Sequence, residues 1–454
     1  MLVQELERAL LRGDESVANE LVLQELRHSI RTEAQQVPRI GSAARMFFKP
    51  LEPFLIDARA DHKRLGRIAR VSLEPIWQWL GRDLIPGEAK TLSDDINRAL
   101  LAGERDKAQQ LVRTLHERTA QRIGEAFAGT GADEKSRRRL AVHVGTPRAL
   151  EDLQTIATVL RMRDVIAELG RRLPLLIRSF ERDQVDEVRA YLDTAASHAA
   201  AGPNGLRKHD FFLCALIVVM NHLGAPWQLI RLATRAANTD ETARIAETPY
   251  AIAVTLVLGE MENMVGELRA ELKSGRPIIS MLKAIHDAGR GLRSEMDLSV
   301  DSVWNRQLTA IRAEVSGLLK NEIEATPGCV RRLLRPRPAK EIAPGAVLDA
   351  IDVGDAEMRV EFVGACRHYA NELAVNEATM RVHSELTLYL ETGTRVLLDS
   401  LRHAGPEDRA FRQSQVDAAI RFCRIVFGAE YAGLLAKAAE VAVQAGAERK
   451  AVRA

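Results

Sequence analysis

Apolar residues recur at three- and four-residue spacing through most of this chain, and no stretch alternates apolar and polar as a half-buried strand does. Leu258, Met261, Val265, Leu268 and Leu272 step 3-4-3-4, while Trp304, Leu308, Ile311, Val315 and Leu318 step 4-3-4-3. That rhythm lays one apolar seam along a helix and suits it to pack against a neighbour at a shallow angle. Each seam lasts only two to three heptads, which suits a bundle helix better than a long free coiled coil. Ala, Leu, Arg and Glu dominate, all strong helix formers. The expectation is an all-α fold, a multi-helix bundle or an irregular array of helical hairpins, with no sheet.

Glycines and prolines punctuate the pattern and imply roughly fifteen to twenty helices. The clearest interruption is Thr326 to Ala346 (TPGCVRRLLRPRPAKEIAPGA), with four prolines and five basic residues. Proline removes a helical hydrogen bond, so this segment reads as a semi-extended linker. Ala199 to Lys208 is a second soft point. Domains are accordingly expected at 1–140, 141–325 and 347–454, with the linker at 326–346.

Residues 8–22, RALLRGDESVANELV, echo residues 98–112, RALLAGERDKAQQLV. Each copy reads as a helix closed by glycine, an acidic residue, and a second helix: a duplicated hairpin in the first domain. Over about fifteen residues the pattern resembles the helical cap of cobalamin-binding modules. That family takes its cobalt ligand from an Asp-x-His-x-x-Gly loop. The nearest text here, Asp61-His62-Lys63-Arg64-Leu65-Gly66, puts Asp beside His, so neither cobalamin nor any other cofactor is expected.

Among 454 residues, 46% are apolar and 28% charged, enough to bury a real core. The 64 basic and 62 acidic residues nearly cancel, which excludes a globally basic nucleic-acid coat. Only 12 of the basic residues are lysine, an arginine excess that reads as the codon bias of a GC-rich, bacterial genome. Cys214, Cys329, Cys366 and Cys423 are far apart, without the spacing of a disulfide framework or zinc module. The longest apolar run, Phe211 to Met220, is ten residues, about half of a membrane span. The N-terminus is amphipathic and acidic, unlike a signal peptide, so the expected location is the cytoplasm.

No catalytic residue and no metal site is assigned. Gly129 to Ser136 misses a phosphate-binding loop because Glu134 stands where glycine must precede the lysine; it reads as a helix end and an Asp133-capped helix. His368 and Glu372 lie one turn apart and read as a surface pair. Cys214 reads as a small buried hydrophobe.

Arg45 to Leu84 holds Phe47, Phe48, Phe54, Trp77 and Trp79, five of the twenty aromatic residues. Within it Arg59, Lys63, Arg67 and Arg70 step by four, four and three, so they read as one basic stripe along a helix, with Leu65, Ile68 and Val71 on its other side. Arg331, Arg332, Arg335 and Arg337 form a second basic patch with Lys340. The leading functional expectation is a non-enzymatic cytoplasmic helical scaffold or adaptor, which binds other proteins and itself through exposed helix faces. Two alternatives stay open. One is a regulator docking on nucleic acid or an anionic membrane surface through the two patches. The other is a helical enzyme whose site residues are dispersed; a large pocket with convergent acidic or histidine residues would mark it.

Overall fold

The computed structural model describes residues 41–57, 65–130, 133–201, 206–274 and 278–451. Among them are 19 α-helices and one two-stranded ladder. The fold is all-α. Contacts divide the chain into two compact units, Met1–Leu175 with Thr194–His222, and Leu176–Asp193 with Leu223–Ala454.

The first unit begins with α1 (Ser42–Phe48) and a 3-10 turn, Lys49–Phe54. Two strands of two residues follow, β1 (Leu55–Ile56) and β2 (Ile68–Ala69), paired in parallel with Leu55 opposite Ile68. At two residues per strand, this ladder leaves the all-α expectation standing. The ladder is held by tertiary contacts: Ile68 and Ala69 are buried, and the Ala69 amide donates to the buried carboxylate of Asp152, 83 positions along the chain, at 3.1 Å. The unit continues through α2 (Leu73–Trp79), α3 (Glu88–Leu101), α4 (Arg105–Thr130), α5 (Glu134–Val144), α6 (Pro147–Arg161) and α7 (Arg163–Arg172).

Helix α3 closes at Gly103, whose φ of +75° is left-handed and costs glycine no Cβ clash. The Gly103 and Glu104 amides return to the carbonyls of Leu100 and Ala99 at 3.1 and 2.9 Å, and α4 packs back along α3. The hairpin read from 98–112 is therefore present; its counterpart at 8–22 lies outside the described residues. Asp133 caps α5, accepting from the Lys135 and Ser136 amides at 3.1 Å each. Helix α8 (Arg182–Ala201) contributes to both units. In α9 (Lys208–His222) nine residues between Phe211 and Met220 are buried, so the longest apolar run is a core helix. No helix among the described residues is long and apolar enough to cross a membrane.

The second unit contains α10 (Ile230–Ala237), α11 (Thr242–Ala246), α12 (Ile252–Ser274) and α13 (Ile279–Glu295). It continues with α14 (Val303–Leu334), α15 (Ala350–His368), the single turn α16 (Ala370–Leu373), α17 (Asn376–Arg402), α18 (Arg409–Phe427) and α19 (Ala429–Ala451). Leu258, Met261, Val265 and Leu268 are buried along α12 as the 3-4 rhythm requires. In α14 the buried seam is Leu308, Ile311, Val315, Leu319 and Ile323, passing through Leu319 rather than Leu318. Tight pairs join α17, α18 and α19 in sequence, and α14 packs on α12, α15 and α17.

The linker reading needs correction. Residues 326–334 are the last turns of α14, and Pro327 stands inside that helix. Proline in a helix costs about 3 kcal/mol and leaves the carbonyl four residues back without its amide. Buried Val330, Leu333 and Leu334 extend the seam beyond it, and burying three such side chains returns more than proline costs. The Thr326 hydroxyl also bonds the Glu322 carbonyl at 3.0 Å. The helix stops where Gln415 of α18 donates to the carbonyls of Leu333 and Arg335 at 2.9 and 3.0 Å. Irregular chain follows, with one 3-10 turn at Ala339–Glu341.

Helical backbone resists proteolysis, and bonds between arginine and proline resist trypsin. Within 326–346, limited tryptic digestion is therefore expected to cut first after Lys340, with Arg331 and Arg332 protected. Mass spectrometry of the first fragments checks this; early cleavage after Arg331 or Arg332 would show that α14 ends before Pro327.

Candidate functional site

The described part of the expected basic stripe is not helical. Arg59 and Lys63 lie outside the described residues. Arg67 sits in coil before β2, and Arg70 opens the 3-10 turn Arg70–Ser72. Gly66 is the reason. Its φ of +66° is left-handed, a conformation outside any helix, and a Cβ there would come within 2.5 Å of Ile217 Cδ1 on α9. Leu65 and Val71 are exposed, and only Ile68 of the supposed apolar side is buried. Both described arginines have internal partners. Arg67 donates to the Pro53 carbonyl at 2.8 Å and to Asn221 Oδ1 at 3.0 Å; Arg70 pairs with Asp57 at 2.9 Å.

The aromatic residues beside the stripe are core. Phe47, Phe48, Phe54 and Trp79 are buried, and Phe47 touches Phe48, Trp77 and His116 at ring-centroid distances of 5.0, 5.4 and 5.0 Å. His116 on α4 is the member that sequence reasoning missed. It lies on the buried face with Val112, Leu115, Thr119 and Ile123, a 3-4 pattern that could have marked it. Its Nε2 bonds the Phe47 carbonyl at 2.8 Å, which assigns the proton to Nε2. Burial pushes the imidazole pKa down to about 4, with the Phe47 bond opposing and nearby Arg163 adding to the fall.

The second basic patch is split. Arg331 pairs with Glu385 at 2.6 Å and lies over the Tyr389 ring, while Arg337 stacks on Phe411. Arg332 and Arg335 are exposed, with no ion pair to a described residue.

His368 and Glu372 are not a surface pair. His368 is exposed at the end of α15, whereas Glu372 lies in α16 and is 8% exposed. Its carboxylate pairs with Arg293 of α13, and its other oxygen, Oε2, is buried without a hydrogen bond among the described residues. Arg312 of α14 donates to the carbonyls of Glu372 and Asn371 at 3.1 and 2.5 Å. Ser316 donates to that of Ala374 at 2.8 Å. The node pins the turn between α15 and α17 onto α13 and α14. Burial is also what raises the thiols of Cys214, Cys366 and Cys423 to about 12, where none is a nucleophile at neutral pH.

Two features are left uncovered by the described residues. In the first unit α4, α6 and α9 line an open cavity of about 570 Å³. In the second unit α19 carries two parallel apolar seams. Ala432, Leu435, Ala439 and Ala442 are buried against the bundle. Shifted by one residue, Tyr431, Leu434, Ala438 and Val441 repeat the same 3-4-3 spacing on the adjoining face, with Leu434 67% and Val441 58% exposed. Comparison with known proteins found no matching family model, curated protein or solved structure.

Proposed function

We propose that this chain is a non-enzymatic helical scaffold that assembles, first of all with a second copy of itself, through the outward seam of α19. The second seam carries this reading. A surface helix needs one apolar stripe; a helix apolar on two adjoining faces is built to be covered on both. Tyr431, Leu434, Ala438 and Val441 have the width and spacing of a coiled-coil seam. Glu430 and Lys437 flank it seven residues apart with opposite charges. In an antiparallel pair of α19 helices each Glu430 meets the partner's Lys437, so the seam is complementary to itself.

Sedimentation or light scattering on the full chain tests this. The expected result is a concentration-dependent dimer that becomes monomeric in the double variant Leu434→Glu, Val441→Glu. Both positions are exposed, so the melting temperature of the isolated monomer should hardly change. A parent chain that stays monomeric at high concentration, or a variant that dimerises as the parent does, would refute the seam as an interface.

A further inference from the structure

The cavity in the first unit has a constructed polarity. Helix α6 turns its apolar face into the core, where Leu153, Ile156 and Leu160 are buried, and lines the cavity with Gln154, Thr155, Thr158 and Arg161. These positions fall on one side of a helix. Ile123 and Phe127 of α4 and Leu213 of α9 supply apolar surface. A hollow of this size, with apolar residues set opposite a polar helix face, is large enough to hold a small molecule.

Arg161 fixes its polarity. Its Nη2 donates to the Ala120 carbonyl at 3.2 Å and lies against Gly124, where a Cβ would stand 3.2 Å from it. A side chain at Gly124 would crowd the guanidinium where it rests on α4. The other lining cation, Arg207, is paired with Asp210 at 2.8 Å. Arg161 has no carboxylate partner among the described residues, and its remaining donors are unclaimed by them. Glu151, at the opposite end of α6, is ten residues away, or about 15 Å along the helix, beyond about one Debye length in physiological salt.

We infer that the cavity binds an amphipathic organic anion, a carboxylate with an apolar body. The head pairs with Arg161 in the fork geometry that suits a guanidinium. The body runs along Thr158 and Thr155 against Ile123, Phe127 and Leu213. This site is independent of the α19 seam and would persist in its monomeric variant.

Calorimetric titration of the full chain with octanoate, and with octanol as its neutral counterpart, tests the inference. The parent is expected to bind octanoate more tightly than octanol. Arg161→Gln should weaken octanoate by about tenfold or more, the loss expected for one charge-assisted contact, and leave octanol unchanged. Thr158→Trp should abolish both by filling the hollow. Arg161 is exposed, so its variant is expected to fold and keeps the test decisive if the tryptophan variant does not. No octanoate binding by the parent overturns the proposal. So does equal octanoate affinity in Arg161→Gln, or undiminished binding to a folded Thr158→Trp chain.

Discussion

As pH falls from 6.5 toward 4, the protein is expected to lose about 3 kcal/mol of stability through His116 alone. The folded state holds the imidazole neutral down to about pH 4, whereas in the unfolded chain it takes its proton near 6.5. Between those values the unfolded chain binds a proton that the folded chain refuses, so acid favours unfolding. Above the window both states are neutral and His116 contributes no pH dependence. The geometry agrees with the direction. Nε2 is already committed to the Phe47 carbonyl, and the buried Nδ1 has no partner among the described residues, so a second proton would bring a charge into an apolar pocket with nothing to accept it. Urea unfolding at several pH values through the upper part of the window, before most carboxylates titrate, measures the slope. His116→Gln keeps an amide donor for Phe47 and cannot titrate; its slope should be shallower by close to one proton. Equal slopes in parent and variant would show that His116 is solvated.

The second large effect is expected at the Arg293–Glu372 pair. Arg293→Met should destabilise the chain by about 3 to 5 kcal/mol, because it leaves a buried carboxylate without its cation. Arg312 offers no remedy: its hydrogen bonds go to the backbone carbonyls of Asn371 and Glu372 rather than to the carboxylate. Gly289 keeps the pocket narrow, since a Cβ there would lie 3.4 Å from Glu372 Oε2. Adding Glu372→Gln to Arg293→Met removes the stranded charge and should recover most of the loss. A double-mutant cycle by chemical denaturation reads both numbers. Additive losses would mean that the two side chains do not depend on each other and that the turn at α16 is held by Arg312 and Ser316 alone.

These two sites differ in how far the sequence discloses them. His116 occupies a seam position of α4, so a histidine replacing an apolar residue in a 3-4 pattern was visible, although its partner, the Phe47 carbonyl 69 positions away, was not. Glu372 gave no such sign. Its spacing from His368 suggested one shared helix face, but α15 ends at His368, and Ala374 then takes a left-handed φ of +55°. The single turn between them points inward only because Arg293 and Arg312 arrive from α13 and α14.

Local physics determined the helices from sequence alone. The 3-4 rhythms of α12 and α14 required seams at Leu258, Met261 and Val265 and at Leu308, Ile311 and Val315, and those residues are buried. Glycine at 103 and aspartate at 133 ended and opened helices as their backbone and hydrogen-bonding chemistry dictates. Tertiary structure decided the cases in which a local preference met a distant partner. Pro327 stays helical because the seam beyond it is buried. Gly66 takes a left-handed φ beside α9, which leaves no room for a side chain, although the spacing of the basic residues around it was helical. Spacing records what one element can do by itself. Whether a charge is paired, a proline tolerated or a second seam left uncovered depends on residues remote in the chain, which only folding brings together.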